Sequence, residues 1–167
     1  MTAVLVAGAA GMLGSRIASH LLDHDDATVR LLVRPGRDSE PVKAARVGPL
    51  LDRGAEVILG DVLQPETLDA AVDGVDVVVS ALQGGDDVIV DGQVGLAEAA
   101  VRNGVRRFLP SDFAIDVFHA PAGPPQFTAR PRADAAIESL DLRVVHILSG
   151  GFPISLRSYV HQAYRAA

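Results

Sequence analysis

The sequence of 167 residues contains no cysteine and no tryptophan, and aromatic residues make up only 4% of it. Without cysteine the chain can form no disulfide bond, no thiolate metal site and no cysteine nucleophile. With so few aromatic side chains the core has to be aliphatic, which is typical of buried parallel strands. The absence of cysteine also fits a reducing compartment, and we expect a cytoplasmic protein.

The sequence also lacks long apolar stretches and an excess of positive charge. No segment reaches the roughly 18 uninterrupted apolar residues that a membrane span requires. No basic region precedes the first apolar run, so we predict neither a signal peptide nor membrane contact. The formal net charge of −6 disfavours binding to nucleic acids and to anionic membranes. The length and the composition, 49% apolar and 22% charged, fit one ordinary soluble domain with a sizeable core.

Short apolar runs alternate along the chain with segments of helical spacing. The six predicted strands are Ala3–Ala7, Val29–Val33, Glu56–Leu59, Val75–Ser80, Arg107–Leu109 and Arg143–Leu148. The predicted helices are Met12–Leu22, Pro65–Val72, Val88–Asn103 and Arg132–Leu140. Prolines and glycines predict loops over Arg34–Val47, ahead of a second helix, and over Asp112–Pro131. The alternation predicts an α/β fold, a Rossmann-type doubly wound parallel sheet of six strands.

The first predicted strand is followed at once by three glycines in the spacing G-x-x-G-x-x-G. In this pattern the glycines permit a tight turn, the approach of a phosphate, and close packing of the helix on the strand. A pyrophosphate would then lie on free N–H groups at the positive end of the helix. A glycine turn without a ligand is the alternative, but the preceding strand and the following helix favour dinucleotide binding. The predicted cofactor-binding residues here are Gly8, Ala9, Ala10, Gly11, Met12, Leu13 and Gly14.

The end of the second predicted strand bears on the choice of cofactor. NAD sites usually carry an acidic residue there, whereas NADP sites place a cation near the 2′-phosphate. This strand ends without a carboxylate and is followed by Arg34, whose planar guanidinium suits a phosphate. Lys43, the only lysine, lies nine residues further on and either binds the same phosphate or is a solvated surface charge. The cofactor predicted from this strand end is NADP(H).

The third and fourth strand ends add further candidates. Asp61 follows the third strand, where an aspartate either contacts the adenine amino group or caps the helix that begins at Pro65. Ala81, Leu82 and Gln83 follow the fourth strand, ahead of two glycines. Small residues there would let the backbone pass close to the cofactor ribose, and an ordinary glycine turn is the alternative.

The fifth strand runs into the stretch R-F-L-P-S-D-F, from Arg107 to Phe113. Together with the glycine loop, Leu32-Val33-Arg34-Pro35 and Gly60-Asp61, it resembles the NmrA-like family of atypical short-chain dehydrogenases. The isoflavone-reductase branch is the most similar, and its members read R-F-L-P-S-E-F-G at this stretch. The resemblance extends to about Phe152 and implies an NADPH-dependent reductase. It matches Arg34 and Lys43 to a basic pair on the 2′-phosphate, and it implies that the nicotinamide end is lined by Pro110, Ser111 and Phe113.

The chain departs from that branch at the position of its catalytic lysine. The branch reads F-x-x-K-x-x-x-R-R-x-I-E, and this chain has Arg130 at the lysine position. A desolvated lysine can lose its proton near neutral pH, but an arginine effectively cannot. Arg130 is therefore the candidate catalytic residue only as a group that orients a carbonyl or phenolate, or that stabilises developing negative charge.

The family's chains are longer by roughly one domain. We therefore expect residues 1–152 to form the NADP(H)-binding domain and 153–167 to begin a C-terminal substrate segment that is cut short. The predicted function is reduction of a small aromatic or carbonyl-bearing molecule by NADPH. The alternative is a non-catalytic NADP(H)-binding sensor that signals to a regulatory protein partner, and Arg130 favours it.

Five histidines raise the question of a metal site. His20 and His24 lie four residues apart, but His24 falls beyond the predicted end of the first helix, where a histidine complements the helix dipole. No cysteine accompanies any of the histidines. The sequence therefore predicts no metal site.

Overall fold

A computed structural model describes residues 1–36, 41–113, 116 and 125–150, with the backbone alone for 125–127. Its six strands form one sheet in the order β3-β2-β1-β4-β5-β6, and all neighbouring strands are parallel. The strands are β1 Thr2–Ala7, β2 Ala27–Val33, β3 Glu56–Leu59, β4 Val77–Ser80, β5 Arg107–Leu109 and β6 Arg143–Val144. This strand order is that of the doubly wound dinucleotide-binding fold, so the predicted fold class is confirmed.

Five α-helices connect the strands in the described part of the chain. They are α1 Met12–Leu21, α2 Pro41–Leu51, α3 Leu68–Val72, α4 Gln93–Arg102 and α5 Pro125–Glu138. A short 3₁₀ turn, Pro65–Thr67, leads into α3, and a π-helical turn, Asp87–Gly92, leads into α4. None of these helices combines the length and the apolar character that a membrane crossing requires.

Alternation along β1 produces a core on each face of the sheet. Leu5 and Ala7 belong to one apolar cluster, whereas Val4 and Val6 belong to another. The first cluster is completed by side chains from α3, α4 and α5, and the second by side chains from α1 and α2. Successive side chains of a strand point to opposite faces, so a strand that is buried on both faces has to be apolar throughout. This explains why the strands at the centre of the sheet are mostly apolar, whereas β3 at its edge is largely exposed.

The two predicted loops and the last strand require correction. Helix α2 already begins at Pro41, and α5 already begins at Pro125, inside the segments that were predicted as loops. A proline in the first helical position loses no hydrogen bond, because that N–H has no partner inside the helix. Strand β6 ends at Val144 instead of Leu148, because its pairing with β5 ends at the Phe108–Val144 pair. The predicted boundary at residues 152 and 153 lies outside the described residues.

The carboxyl ends of the parallel strands meet at one edge of the sheet, which we call the carboxyl edge. From β1 the strands are added outwards in both directions, β2 and β3 on one side and β4, β5 and β6 on the other. The loops that follow β1 and β4 therefore diverge to opposite faces of the sheet. In open α/β sheets this reversal of the strand order creates the crevice in which ligands bind.

Candidate functional site

The glycine loop after β1 is shaped by close backbone approaches. Gly8 has φ +84°, and a Cβ at this position would overlap the carbonyl oxygen of Ala81 in the loop after β4. A Cβ at Gly14 would overlap the carbonyl of Gly8, and one at Gly11 would lie 3.0 Å from the same oxygen. Gly11 also donates its N–H to Gly8 at 2.8 Å, which closes the turn. The three glycines are therefore required by the geometry of the loop itself.

The first turn of α1 is open to an anion. Gly11 is its N-cap residue and offers no side-chain cap, and the first turn carries no acidic residue. The N–H groups at a helix N-terminus have no partner inside the helix and carry a partial positive charge. The loop from Gly8 to Gly14, which includes Ala9, Ala10, Met12 and Leu13, thus presents backbone donors at the crevice.

The loop after β4 forms the other wall of the crevice. Ala81 donates its N–H to Ala7 at 2.8 Å, which extends the pairing of β4 with β1 by one residue. Leu82 is partly buried against the core, whereas Gln83 is exposed. A Cβ at Gly84 would lie 2.6 Å from Cβ of Val88, so that glycine is explained by packing without any ligand.

Basic residues follow β2 and lie on α2, and one of them contacts the glycine loop. Arg34 directly follows β2 and is exposed at the carboxyl edge, and Lys43 is half-buried in the first turn of α2. One helical turn later, Arg46 donates from Nη1 to the carbonyl oxygen of Ala10 at 3.2 Å. Sequence reasoning missed Arg46, although its spacing of three residues from Lys43 would have indicated the same helix face.

Asp61 forms hydrogen bonds within the turn after β3. Its Oδ1 accepts the N–H of Leu63 at 3.1 Å, and its backbone exchanges hydrogen bonds with Oγ1 of Thr67. The N-cap of the following turn is Gln64, so Asp61 is not the helix cap that the sequence offered as an alternative. A contact between Asp61 and adenine stays a prediction.

The end of β5 is tied to its neighbours by a buried glutamine. Gln93, at the start of α4, accepts the hydroxyl of Ser80 at 2.6 Å and the N–H of Ser111 at 2.9 Å through Oε1. Ser111 donates its own hydroxyl to the carbonyl oxygen of Leu82 at 2.7 Å. These bonds hold the loops after β4 and β5 together. No sequence pattern had pointed to Gln93, because its partners lie 13 and 18 residues away.

The other predicted residues of this stretch lie at the same edge. Pro110 is buried directly after β5, and Phe113 is partly buried against the apolar cluster on the α1 and α2 face. Arg130, on α5, donates from Nε to the carbonyl oxygen of Ser111 at 2.8 Å. The candidate catalytic arginine and the candidate nicotinamide-lining stretch are therefore in direct contact.

A group of titratable side chains adjoins this stretch. Asp112 is fully buried, and its Oδ2 lies 2.7 Å from Nδ1 of His146, which follows β6. Asp134, on α5, is also buried, and burial raises the pKa of its carboxyl to about 7, with the charge of Asp112 acting in the same direction. Burial raises the pKa of Asp112 as well, against the opposing hydrogen bond with His146.

The imidazole in this group is held from both sides. Burial lowers the pKa of His146, but the hydrogen bond and the charge of Asp112 outweigh burial, and the net pKa is raised. The other ring nitrogen, Nε2, lies 3.0 Å from Oε1 of Glu138, four residues after Asp134 on α5. Sequence reasoning missed Asp134, Glu138 and His146 as members of one site, because three separate elements contribute to it.

Comparisons with known proteins agree with this geometry. The model of the NmrA-like family matches residues 1–163. Pinoresinol reductase 1 of Arabidopsis thaliana is 34% identical over 160 residues, which are 90% of this chain and 50% of that protein. The chain spans about half the length of the curated relatives it matches.

Two solved structures are similar in both fold and sequence. The complex of leucoanthocyanidin reductase from Vitis vinifera with NADPH superposes with a TM-score of 0.78 at 30% identity, over 87% of this chain and 49% of that one. The complex of AtPrR2 with NADP⁺ and (+)-pinoresinol has a TM-score of 0.77 at 31% identity, over 88% of this chain and 49% of that one. Together with the family match over nearly the whole chain, these likenesses show that the chain belongs to the NmrA-like family.

Proposed function

We propose that the chain binds NADP(H) at the carboxyl edge, with the pyrophosphate on the glycine loop. The observation that carries this proposal is the approach of Gly8 to Ala81, which leaves backbone donors where the strand order reverses and no room for a side chain. The open first turn of α1 suits the negative charge of a pyrophosphate. The likeness to NADPH and NADP⁺ complexes of related reductases supports the same cofactor.

The 2′-phosphate would be held by cations from β2 and α2. Arg34 offers a planar pair of donors, and a bidentate guanidinium–phosphate contact is among the stronger hydrogen-bonded pairs in proteins. Lys43 and Arg46 lie in the first half of α2, and Arg46 is already fixed against the glycine loop by its bond to Ala10. No carboxylate stands at the end of β2 to favour a free 2′-hydroxyl.

We propose further that the protein is a reductase of a small aromatic or carbonyl-bearing molecule. When bound, NADPH supplies a hydride to an electrophilic carbon, and a proton from solvent completes the reduction. The chain's own part would be to position and to polarise: Ser111 and Phe113 would border the nicotinamide, and Arg130 would stabilise negative charge that develops on the substrate. Relatives named as pinoresinol and leucoanthocyanidin reductases support an aromatic substrate.

Turnover is tested by following NADPH oxidation in the presence of quinones, aldehydes and phenolic ethers. We expect consumption of NADPH with at least one of these classes, and slower consumption by the Arg130→Ala variant. The Arg132→Ala variant is the matched control, because Arg132 lies on the same helix and pairs with the exposed Asp86. Binding of NADPH without oxidation against the whole panel would reject the reductase.

A redox sensor is the second candidate, and one observation favours it. Arg130 stands at the position of the family lysine and is bonded to the Ser111 carbonyl, so it cannot accept a proton from a substrate. The Arg130→Lys variant distinguishes the two candidates. If the native chain is a sensor that has lost the general base, the variant gains turnover that the native chain lacks. If it is a reductase that uses Arg130 electrostatically, the variant is no faster than the native protein.

A further inference from the structure

The titratable group beside β5 has the composition of a metal site. Asp112 follows β5, Asp134 lies on α5, and His146 follows β6. One potential ligand atom from each residue lies within 4.8 Å of the other two. Only 0% of Asp112 and 1% of Asp134 is exposed, so two carboxyl groups share a space that water barely enters.

The hydrogen bonding of this group is incomplete. In the described part of the chain no other residue donates a hydrogen bond to Oδ1 of Asp112 or to either oxygen of Asp134, and the two carboxyl groups lie close enough to interact with each other. A buried polar group without a partner destabilises the folded state, and a charged one does so more strongly. Two carboxyl groups cannot satisfy each other unless a proton or a cation lies between them. The unpartnered Asp134 therefore marks a place for a positive ligand.

We propose that Asp112, Asp134 and His146 bind one divalent transition-metal ion of the zinc type. One imidazole nitrogen and two carboxylate oxygens form a ligand set that Zn²⁺ accepts, with a water in the fourth position. Bond lengths of about 2.0–2.1 Å in a tetrahedral site separate ligand atoms by about 3.3 Å. The present separations, from 2.7 Å for the Asp112–His146 pair to the limit of 4.8 Å, bracket that value.

Glu138 is placed as the outer partner of such an ion. A histidine that ligates a metal usually donates its other ring N–H to a carboxylate, which fixes the tautomer and raises the basicity of the ligating nitrogen. Glu138 accepts from Nε2 of His146 at 3.0 Å in this way, and Nδ1 is left to face Asp112. The charges also balance, since two carboxylates neutralise a divalent ion. Glu138 adds one further negative charge, and Arg130, which acts on Asp112 electrostatically, opposes it.

The proposed site is separate from the glycine loop, so it does not rest on the proposed function. It joins the end of β5 to α5 and to the segment after β6, and a bound ion would hold these three elements together. It also runs against the expectation from sequence that the chain binds no metal. That expectation depended on paired histidines, and this group contains one histidine and residues 22 and 34 positions after Asp112.

The test is calorimetric titration of the chelator-treated chain with zinc chloride alone, near neutral pH. We expect saturable binding of one equivalent, with release of protons that is detected by comparing two buffers of different ionisation enthalpy. Asp134→Asn, which keeps the shape of the side chain, should weaken binding by on the order of 100-fold. Glu138→Gln should weaken it by about 10–100-fold. Magnesium chloride should bind far more weakly, because Mg²⁺ prefers octahedral oxygen ligands and retains its waters.

A double variant, His20→Gln with His24→Gln, is the matched control. These two histidines are exposed near the end of α1 and are the rival surface site for zinc. The proposal expects this variant to bind zinc as the native chain does. Absence of saturable binding overturns the proposal, as does binding that survives Asp134→Asn and Glu138→Gln. Binding that is lost only in the double variant overturns it as well. Circular dichroism of each variant verifies the fold, and Glu138→Gln, at an exposed position, carries the test if Asp134→Asn does not fold.

Discussion

The glycine loop after β1 and the titratable group beside β5 lie at the same edge of the sheet but are built in opposite ways. The glycine loop consists of seven consecutive residues and works through its backbone, with no titratable side chain from Gly8 to Gly14. The group beside β5 consists of side chains from three separate elements and holds two carboxyl groups out of water. The glycine loop is therefore sensitive to changes of shape, and the group beside β5 to changes of charge.

The largest effect should come from adding one methyl group to the glycine loop. Gly8→Ala places a side chain at φ +84° and against the carbonyl of Ala81, so the loop after β4 has to move. We expect a loss of on the order of 3 kcal/mol in the free energy of unfolding, and a fall of at least about 100-fold in NADPH affinity. Urea unfolding and a fluorescence titration with NADPH measure the two quantities.

Gly48→Ala is the control for that variant. Gly48 lies on α2 with nothing within 4 Å of an added Cβ. Because Pro49 follows and disfavours a helical residue with a Cβ before it, we expect the alanine to change the free energy of unfolding by less than about 1 kcal/mol and to leave NADPH binding unchanged. If Gly8→Ala and Gly48→Ala change NADPH affinity equally, the shape of the glycine loop does not determine cofactor binding.

Removal of the cation after β2 should separate the two cofactors. Arg34→Ala takes away a charge-assisted contact worth about 1.5–3 kcal/mol, so NADPH affinity should fall by about 10–100-fold. NADH carries no 2′-phosphate, and its affinity should change little. Arg107→Ala is the control: Arg107 begins β5, at the edge of the sheet opposite the carboxyl edge, so its loss should change the affinity of neither cofactor. An equal loss for NADPH and NADH in the Arg34 variant would rule out the 2′-phosphate role.

The region beside β5 should respond to pH in the metal-free protein. The pKa of Asp134 is about 7 in the folded chain, above its ordinary value of 3.8, so the folded state binds the proton more tightly. The resulting stability is fully present below about pH 3.8 and is lost as the pH rises through 7. One such proton changes the free energy of unfolding by at most about 1.4 kcal/mol per pH unit.

Asp134→Asn cannot titrate and should remove this dependence. Its free energy of unfolding, relative to the native chain, should rise as the pH increases from 4 to above 7. Urea unfolding in the presence of a chelator measures the difference at each pH. Asp25→Asn, in the exposed turn between α1 and β2, is the control. A constant difference between Asp134→Asn and the native chain would show that Asp134 does not retain a proton near neutral pH.

The smallest effect should come from Arg46. Its bond to the carbonyl of Ala10 is half-buried and contributes about 1 kcal/mol, so Arg46→Ala should weaken NADPH binding by about fivefold. Arg53→Ala, whose partners Ser19 and Asp23 lie away from the glycine loop, is the matched control on the same side of the molecule. If NADPH affinity falls no more in Arg46→Ala than in Arg53→Ala, Arg46 does not contribute to the cofactor site.

The fold was predictable because its signals are local. The strands are short, mostly apolar runs of two to seven residues, and the glycine spacing after β1 lies between a strand and a helix. The prolines are misleading in two places, since Pro41 and Pro125 begin helices within segments that the sequence predicts as loops. A proline in the first turn loses no helical hydrogen bond, and Pro49 and Pro131 lie further inside α2 and α5, so the prolines alone do not locate the helix ends.

The candidate site was predictable only where its residues are consecutive. The glycine loop and the stretch from Pro110 to Phe113 could be read directly. Gln93 could not, because its partners lie in other elements and no pattern links them, whereas the only signal for Arg46 is its spacing of three residues from Lys43. The same holds for Asp134 and His146, which come together only when α5 and β6 pack beside β5.

The proposed selection of NADP(H) by the glycine loop and Arg34 can be tested by an equilibrium titration of the native chain with NADPH and, separately, with NADH. We expect one saturable site, and an affinity for NADPH at least about tenfold above that for NADH, since one contact to the 2′-phosphate is worth about 1.5 kcal/mol or more. Equal affinities, or no saturable binding of either dinucleotide, would contradict it.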